Sequence, residues 1–423
     1  MEVETMLPDW IAAHEDTLVR DLADLIRIPT VNPPGTHYRN LVDHCAEIMS
    51  DLGMDVRVLK VPDQELRGLA PQADGHSRYN VLAKKPGRAA RPALHLSGHY
   101  DVVPAGAGWT RDPFSPAIED GRLYGLGSSD QKGGIASILG LCRALHALDL
   151  LLDGELSVSF TPDEETGGFA GMGYLVDHKL VEADMAIITE PSQPNLIKLG
   201  HRGALWLRLT TIGRTAHGSM AFMGINAYEK MLKVSQKLLA LLPSFATVTS
   251  SYPTEREEER HPMMMLGGVV QGGVKTNVVP DRCTITIDRR LIPEEEIAAA
   301  YAEIMAAIQA AEREDPEVRV VVETELEVEA ASIPADSQLC RDLSAAHRAI
   351  YGTSPRLVIS PGFNDPRFLI KRAGIPTVTY GPGILAQAHQ PDEYLNIADL
   401  VKATQVLGLM TVRTLRSSAA QVG

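Results

Sequence analysis

Positive charge is scarce in this sequence. Its 423 residues carry 40 Lys and Arg against 54 Asp and Glu, a formal net charge of −14. That balance gives a phosphate backbone or an anionic bilayer little to hold, so neither nucleic acid nor membrane is expected as a partner. Cysteine is scarce too. Cys45, Cys142, Cys283 and Cys340 show no C-x-x-C spacing, and three of them fall in apolar-periodic segments, so they are read as reduced core thiols of a cytosolic protein. No apolar run reaches the roughly 20 residues of a membrane-spanning helix. Met1-Glu-Val-Glu-Thr5 has neither the basic region nor the apolar core of a signal peptide, and a cytoplasmic location is expected. Repeats and low-complexity segments are missing as well, while the length allows two domains, each with its own core.

What is present is an alternation of helices and buried strands. Apolar residues at helical spacing predict one helix from Trp10 to Ile28, stopped by Pro29, and a second from Tyr38 to Leu52 ending at Gly53. Strands are predicted over Asp55–Leu59, Asn80–Lys84, Ala93–Ser97, Leu156–Phe160 and Met185–Thr189, giving an α/β sheet covered on both faces. From Ala204 to Leu326 the order becomes β-α-β-β-α-β, a ferredoxin-like layout inserted into the first domain. Domain one is therefore expected to be discontinuous, residues 1–203 and 327–423, with residues 204–326 inserted. Within the insert, Met263-Met-Met265 reads as strand core and Glu255–Arg260 as a solvated loop. Beyond it, helices over Leu339–Tyr351, Arg367–Ala373 and Ile397–Leu415 alternate with strands over Arg356–Ser360 and Thr377–Tyr380.

Acids collect where strands end. Thr161-Pro-Asp-Glu-Glu-Thr-Gly-Gly168 follows a strand, and Pro162 with the glycines breaks it, leaving Glu164 and Glu165 at the mouth of the sheet, where α/β folds place ligands. If the chain stays extended there, the two acids point opposite ways, and one could hold a cation while the other moves a proton. Gly98-His-Tyr-Asp-Val-Val-Pro104 would set His99 and Asp101 on one side, a carboxylate–histidine pair of the kind that orients metal-binding imidazoles. Tyr124-Gly-Leu-Gly-Ser-Ser-Asp-Gln-Lys-Gly-Gly134 invites a phosphate-loop reading, but neither glycine fingerprint is satisfied and Asp130 takes the third glycine's place. A nucleotide site is rejected. Glu190-Pro191 adds another acid at a strand's carboxyl end, and His389-Gln-Pro-Asp-Glu393 precedes the last helix. His95 is read as bonded within the sheet. The remaining histidines lack a partner pattern.

These motifs, in this order, resemble a known family. Ser-Gly-His99-Tyr-Asp101, Gly-x-Gly-x-x-Asp130-x-Lys-Gly-Gly, Asp-Glu164-Glu165-x-Gly-Gly, Glu190-Pro, Gly-x-x-Ala-His217-Gly-Ser, Asn277-Val-Val-Pro, Asp288-x-Arg290-x-x-Pro and His389-x-Pro-Asp-Glu run through nearly the whole chain. They are similar to those of the co-catalytic di-zinc family of acetylornithine deacetylase, succinyl-diaminopimelate desuccinylase, aminoacylase and the glutamate carboxypeptidases. The resemblance implies a mixed-sheet, zinc-peptidase-like catalytic domain whose insert acts as lid and dimerisation domain. It implies two Zn²⁺ per chain, replaceable by Co²⁺ or Mn²⁺, with Asp130 bridging, His99 and Glu190 on one ion, and Glu165 and His389 on the other. Asp101 would orient His99, and Glu164 would be the general base for a hydroxide shared by the ions. His217 would reach the partner's site to hold an oxyanion, while Arg290 and Asn277 would position the substrate.

The activity implied is cleavage of an N-acyl amino acid's amide by a homodimer. A dipeptidase or carboxypeptidase using the same site is the alternative, and a non-catalytic binding protein the more distant one. One departure is Ser360-Pro-Gly-Phe-Asn-Asp365, where similar proteins have a Gly-Gly-Thr/Ser-Asp turn. That turn lies close to substrate in the family, so Phe363 and Asn364 question the usual substrates more than the chemistry.

Overall fold

A computed structural model describes residues 2–416. The chain divides into two compact units, residues 1–200, 333–357 and 364–423 in one and residues 201–332 and 358–363 in the other.

The first unit is built on a mixed sheet. From one edge it runs Asp55–Lys60, Tyr79–Lys85, Glu155–Thr161, Ala93–His99, Met185–Ile188, Thr377–Thr379 and Leu196–His201. The four strands from Glu155–Thr161 to Thr377–Thr379 are parallel to one another, and the flanking strands pair antiparallel. Parallel strands need cover on both faces. Ala93–His99 is buried throughout, and so is nearly all of the helix Lys132–Ala147, which brings Ile135, Ile138, Leu139 and Cys142 into the core. Each such isoleucine or leucine contributes about 1.5–3 kcal/mol on burial. The close approach of that helix requires Gly134, where a Cβ would lie 2.2 Å from the Thr189 carbonyl oxygen. All four cysteines are buried free thiols.

In this unit three local expectations fail. The single N-terminal helix is two, Glu2–Ala13 and Glu15–Ile26, broken at His14, whose ring stacks on Trp10 and bonds its carbonyl oxygen at 2.7 Å. Apolar periodicity continues across such a break and cannot reveal it. The Arg367–Ala373 helix is a wide π-type turn over Phe368–Ala373. Glu164 and Glu165 are not in extended chain but in a 3₁₀ turn, Glu164–Thr166, because Asp163 before it and Gly167 and Gly168 after it all have positive φ.

The second unit carries strand Gly203–Ile212, helix Ala227–Leu239, strands Met263–Gly272 and Arg282–Leu291, helix Ile297–Glu314 and strand Val320–Val328. Its antiparallel sheet runs Met263–Gly272, Arg282–Leu291, Gly203–Ile212, Val320–Val328. Leu205, Leu207 and Leu209 alternate inward to meet Met231, Val234, Ile304 and Ile308 from the helices. Met263 and Met265, expected in the core, are exposed, and only Met264 packs inward, because alternation places neighbours on opposite faces.

Candidate metal centre

Parallel strands deliver their carboxyl ends to one edge, and the acids follow. His99 ends Ala93–His99, Glu164 and Glu165 follow Glu155–Thr161, Glu190 follows Met185–Ile188, and Asp130 precedes Lys132–Ala147. His389 stands at φ 61 in the loop before the last helix.

The contacts within this group are more numerous than proton donors can satisfy. Nε2 of His99 lies 3.2 Å from Asp130 Oδ1, 3.4 Å from Glu190 Oε1 and 4.0 Å from Glu164 Oε2. One ring nitrogen donates a single hydrogen, and Glu190 Oε1 is buried without a hydrogen-bond partner. Nε2 of His389 faces both oxygens of Glu165, at 3.1 and 3.0 Å, and Asp130 Oδ2 at 3.7 Å. Asp130 thus turns one oxygen to each histidine. Two clusters converge closely enough for a metal ion, His99 with Glu164 and Glu190, and His99 with Asp130 and Glu165. Glu164, read from the sequence as a base and not a ligand, lies as close to His99 as a ligand would.

Charge makes the same point. Burial pushes Glu165 up to about 7 against the hydrogen bond from His389, with Asp130 adding repulsion. Burial raises Glu164 well above the carboxylate range, helped by Glu190, and raises Glu190 itself despite the pull of His99. His389 is drawn up to about 9, first by its bond to Glu165. Burial would depress His99, but the charge of Glu190 and the contacts of the ring with Asp101 and Asp130 win and raise it well above its usual value. The cluster therefore needs positive charge, from protons or from cations. Its all-oxygen and imidazole donor set fits Zn²⁺ and related divalent ions, so the residues present fit the metal their motifs imply.

Behind the cluster, Asp101 accepts at Oδ1 from the Glu164 amide at 3.2 Å, with His99 Nδ1 3.3 Å away, and at Oδ2 from the Glu165 amide at 3.2 Å. One carboxylate so aligns both the imidazole and the acidic turn. Sequence reasoning missed several supporting residues. Glu393 is buried and accepts from the amides of Gly127, Ser129 and Asp130 at 2.9, 2.7 and 3.0 Å, holding the loop that presents Asp130. Asp365 is buried against Gly168, where a Cβ would lie 2.2 Å from its Oδ1. Glu393 closes the His389 motif and Asp365 the departing turn, but bonding to backbone amides or packing on a glycine leaves no spacing signature. His95 lies in the sheet between the hydroxyls of Ser157 and Ser159, both at 2.9 Å.

His217, Asn277 and Arg290 lie in the second unit. His217 and Asn277 are exposed neighbours, joined where the Gly218 amide donates to the Asn277 carbonyl at 2.8 Å. The Ser219 amide donates to His217 Nδ1 at 3.2 Å, so the neutral ring carries its hydrogen on Nε2. The Arg290 guanidinium forks onto Asp288 at 2.8 and 3.0 Å, with Trp206 and Phe363 beside it.

Comparison with known proteins agrees with the geometry. Residues 95–412 match the model of peptidase family M20/M25/M40. Acetylornithine deacetylase of Salmonella arizonae is 30% identical over 87% of this chain and 88% of its own. Succinyl-diaminopimelate desuccinylase of Gluconacetobacter diazotrophicus is 29% identical over 92% and 94%. The fold is also that of human carnosine dipeptidase 1, at a TM-score of 0.76 and 18% identity over 98% of this chain and 99% of that one. A strand-end acid cluster in this fold, with that breadth of match, identifies a hydrolase; the chain belongs to the M20/M25/M40 peptidase family. It is a metal-dependent enzyme acting on amide bonds. Among the described residues no helix is long and apolar enough to cross a membrane.

Proposed function

We propose that this enzyme removes the acyl group from an N-acyl amino acid, working as a cytoplasmic homodimer with two Zn²⁺ ions per chain. The observation that carries the reading is Asp130, whose two carboxylate oxygens face two different histidines. His99 and Glu190 would hold one ion and Glu165 and His389 the other, with Asp130 shared. A pair of divalent ions, when bound, supplies Lewis acidity and lowers the pKa of a water towards neutrality. Glu164 takes the proton of the attacking water and returns it to the departing nitrogen. A carboxylate whose hold on protons is strengthened by burial suits that double duty. Asp101 keeps His99 and the Glu164 turn in register. His217, with its N–H on Nε2, suits oxyanion stabilisation, and Asn277 would help position the substrate. Arg290, released from Asp288 or sharing it, offers a fork for the substrate carboxylate. The insert, residues 204–326, serves as lid and dimerisation domain in this reading.

The two relatives, an acetylornithine deacetylase and a succinyl-diaminopimelate desuccinylase, favour a deacylase over a dipeptidase or carboxypeptidase. A panel of N-acetyl, N-succinyl and longer N-acyl amino acids against dipeptides and C-terminal peptides decides. Faster turnover of an acyl amino acid supports the proposal, and faster cleavage of a dipeptide transfers the site to peptidase chemistry.

A further inference from the structure

Behind the metal centre lies a buried arginine that the chemistry above does not use. Arg78 is fully buried, and its Nε donates to Asp163 Oδ2 at 2.6 Å. Its other nitrogens donate to the His76 carbonyl at 3.0 Å and to Asn32 Oδ1 at 3.4 Å, and its plane lies over the Tyr38 ring. Tyr38 in turn donates its hydroxyl to Asp163 Oδ1 at 3.1 Å. The room for this guanidinium is made by Gly35, at φ +100, where a Cβ would lie 2.2 Å from Arg78 Nη1. Burying an arginine is costly unless every donor is used, so a pair of this kind calls for a reason.

The reason lies one residue further in. The amide nitrogen of Asn32 donates to Asp163 Oδ1 at 3.1 Å and to Asp101 Oδ2 at 2.9 Å, and lies 3.0 Å from Thr166 Oγ1. Arg78 faces the oxygen of that amide, so the nitrogen must face the two carboxylates. Asp101 is the group that aligns His99 and the amides of Glu164 and Glu165. Asp163 opens the Glu164 turn.

We infer that Arg78 is a positioning residue for the metal centre, acting through Asp163 and Asn32 on Asp101, and through Asp101 on His99 and the Glu164–Glu165 turn. Removing it leaves Asn32 Oδ1 without its donor and Asp163 without its strongest partner. The Asn32 amide, its nitrogen still drawn to the two carboxylates, then loses the contact that holds its other end in place. Groups that orient a ligand directly, as Asp101 does His99, typically carry about 10–100-fold in metal affinity, and Arg78, one layer further out, should carry the lower end of that range.

This inference rests on the two-metal reading, and the test separates them. Zn²⁺ affinity of the full chain is measured by competition with a chromogenic chelator, for wild type, Arg78→Met and the charge-neutral pair Arg78→Met with Asp163→Asn. Folding is checked by circular dichroism. Expected is a loss of affinity of about 10-fold in Arg78→Met, the lower end of what a ligand's own orienting partner carries. At saturating Zn²⁺, kcat should fall with KM nearly unchanged, and Arg78→Lys should recover part of both. The pair should fold at least as well as Arg78→Met yet keep the weak affinity, and it decides the matter if Arg78→Met does not fold. Wild-type affinity and kcat in either folded variant would overturn the inference and leave the metal centre standing. Wild-type protein that takes up no Zn²⁺ would overturn both.

Discussion

The acid cluster at the strand ends and the exposed loop around His217 present their side chains in opposite ways. In the cluster His99 and His389 each face more carboxylate oxygens than one ring hydrogen can serve, and that surplus points to cations. In the second unit His217 and Asn277 face solvent, and Arg290 is satisfied by Asp288. The first arrangement points to a cation by itself. The second gives no sign of its task in isolation, since an exposed histidine or a paired arginine needs no special explanation.

That contrast is open to attack, beginning where the effect should be greatest. On the proposed reading Asp130→Ala removes the ligand both ions would share, and it should lose both bound metal and activity, measured by elemental analysis and amide hydrolysis on the same sample. Glu164→Gln should keep its metal while kcat falls by about 10²–10⁴-fold, the usual worth of a general acid–base group. Loss of metal there would make Glu164 a ligand, as its 4.0 Å approach to His99 permits. His217→Ala should lower kcat by about 10²–10³-fold with metal content unchanged, the effect of one oxyanion donor. Arg290→Met should act on KM instead, raising it about 10–100-fold for substrates bearing a carboxylate, since a hydrogen bond to a charged group is worth about 1.5–3 kcal/mol.

The smallest effect concerns His95, a buried histidine with no place in the chemistry. Burial pushes it down to about 3 from an ordinary 6.5, with Lys84 adding repulsion. The unfolded chain therefore binds the proton more readily. Stability from the neutral ring is present above pH 6.5 and is lost as pH falls from there towards 3. Urea unfolding at pH 7.5 and pH 5 should show His95→Gln losing less stability on acidification than the wild type. An equal loss would mean that the ring does not stay neutral in the fold.

The two regions also differ in how far the sequence discloses them. Strand-end acids can be read from period-2 alternation broken by Pro162 and paired glycines, because those glycines answer to real geometry: Gly168 at positive φ against Asp365, Gly134 against a carbonyl. The order of elements in the insert follows from the same periodicities. The break at His14 and the turn at Glu164 escape, since both depend on backbone angles and local contacts that apolar periodicity does not register. The contacts of Arg78, Asn32 and Glu393 escape more completely, because they join segments far apart in the chain. His217 and Arg290 take their roles from family resemblance alone.

The central claim is that Asp130 bridges two ions, and counting them is its most direct test. Protein loaded with Zn²⁺ and freed of excess should hold two ions per chain, and chelation to zero should abolish amide hydrolysis until metal is restored. Full activity at one ion per chain, or turnover surviving complete removal, would contradict it.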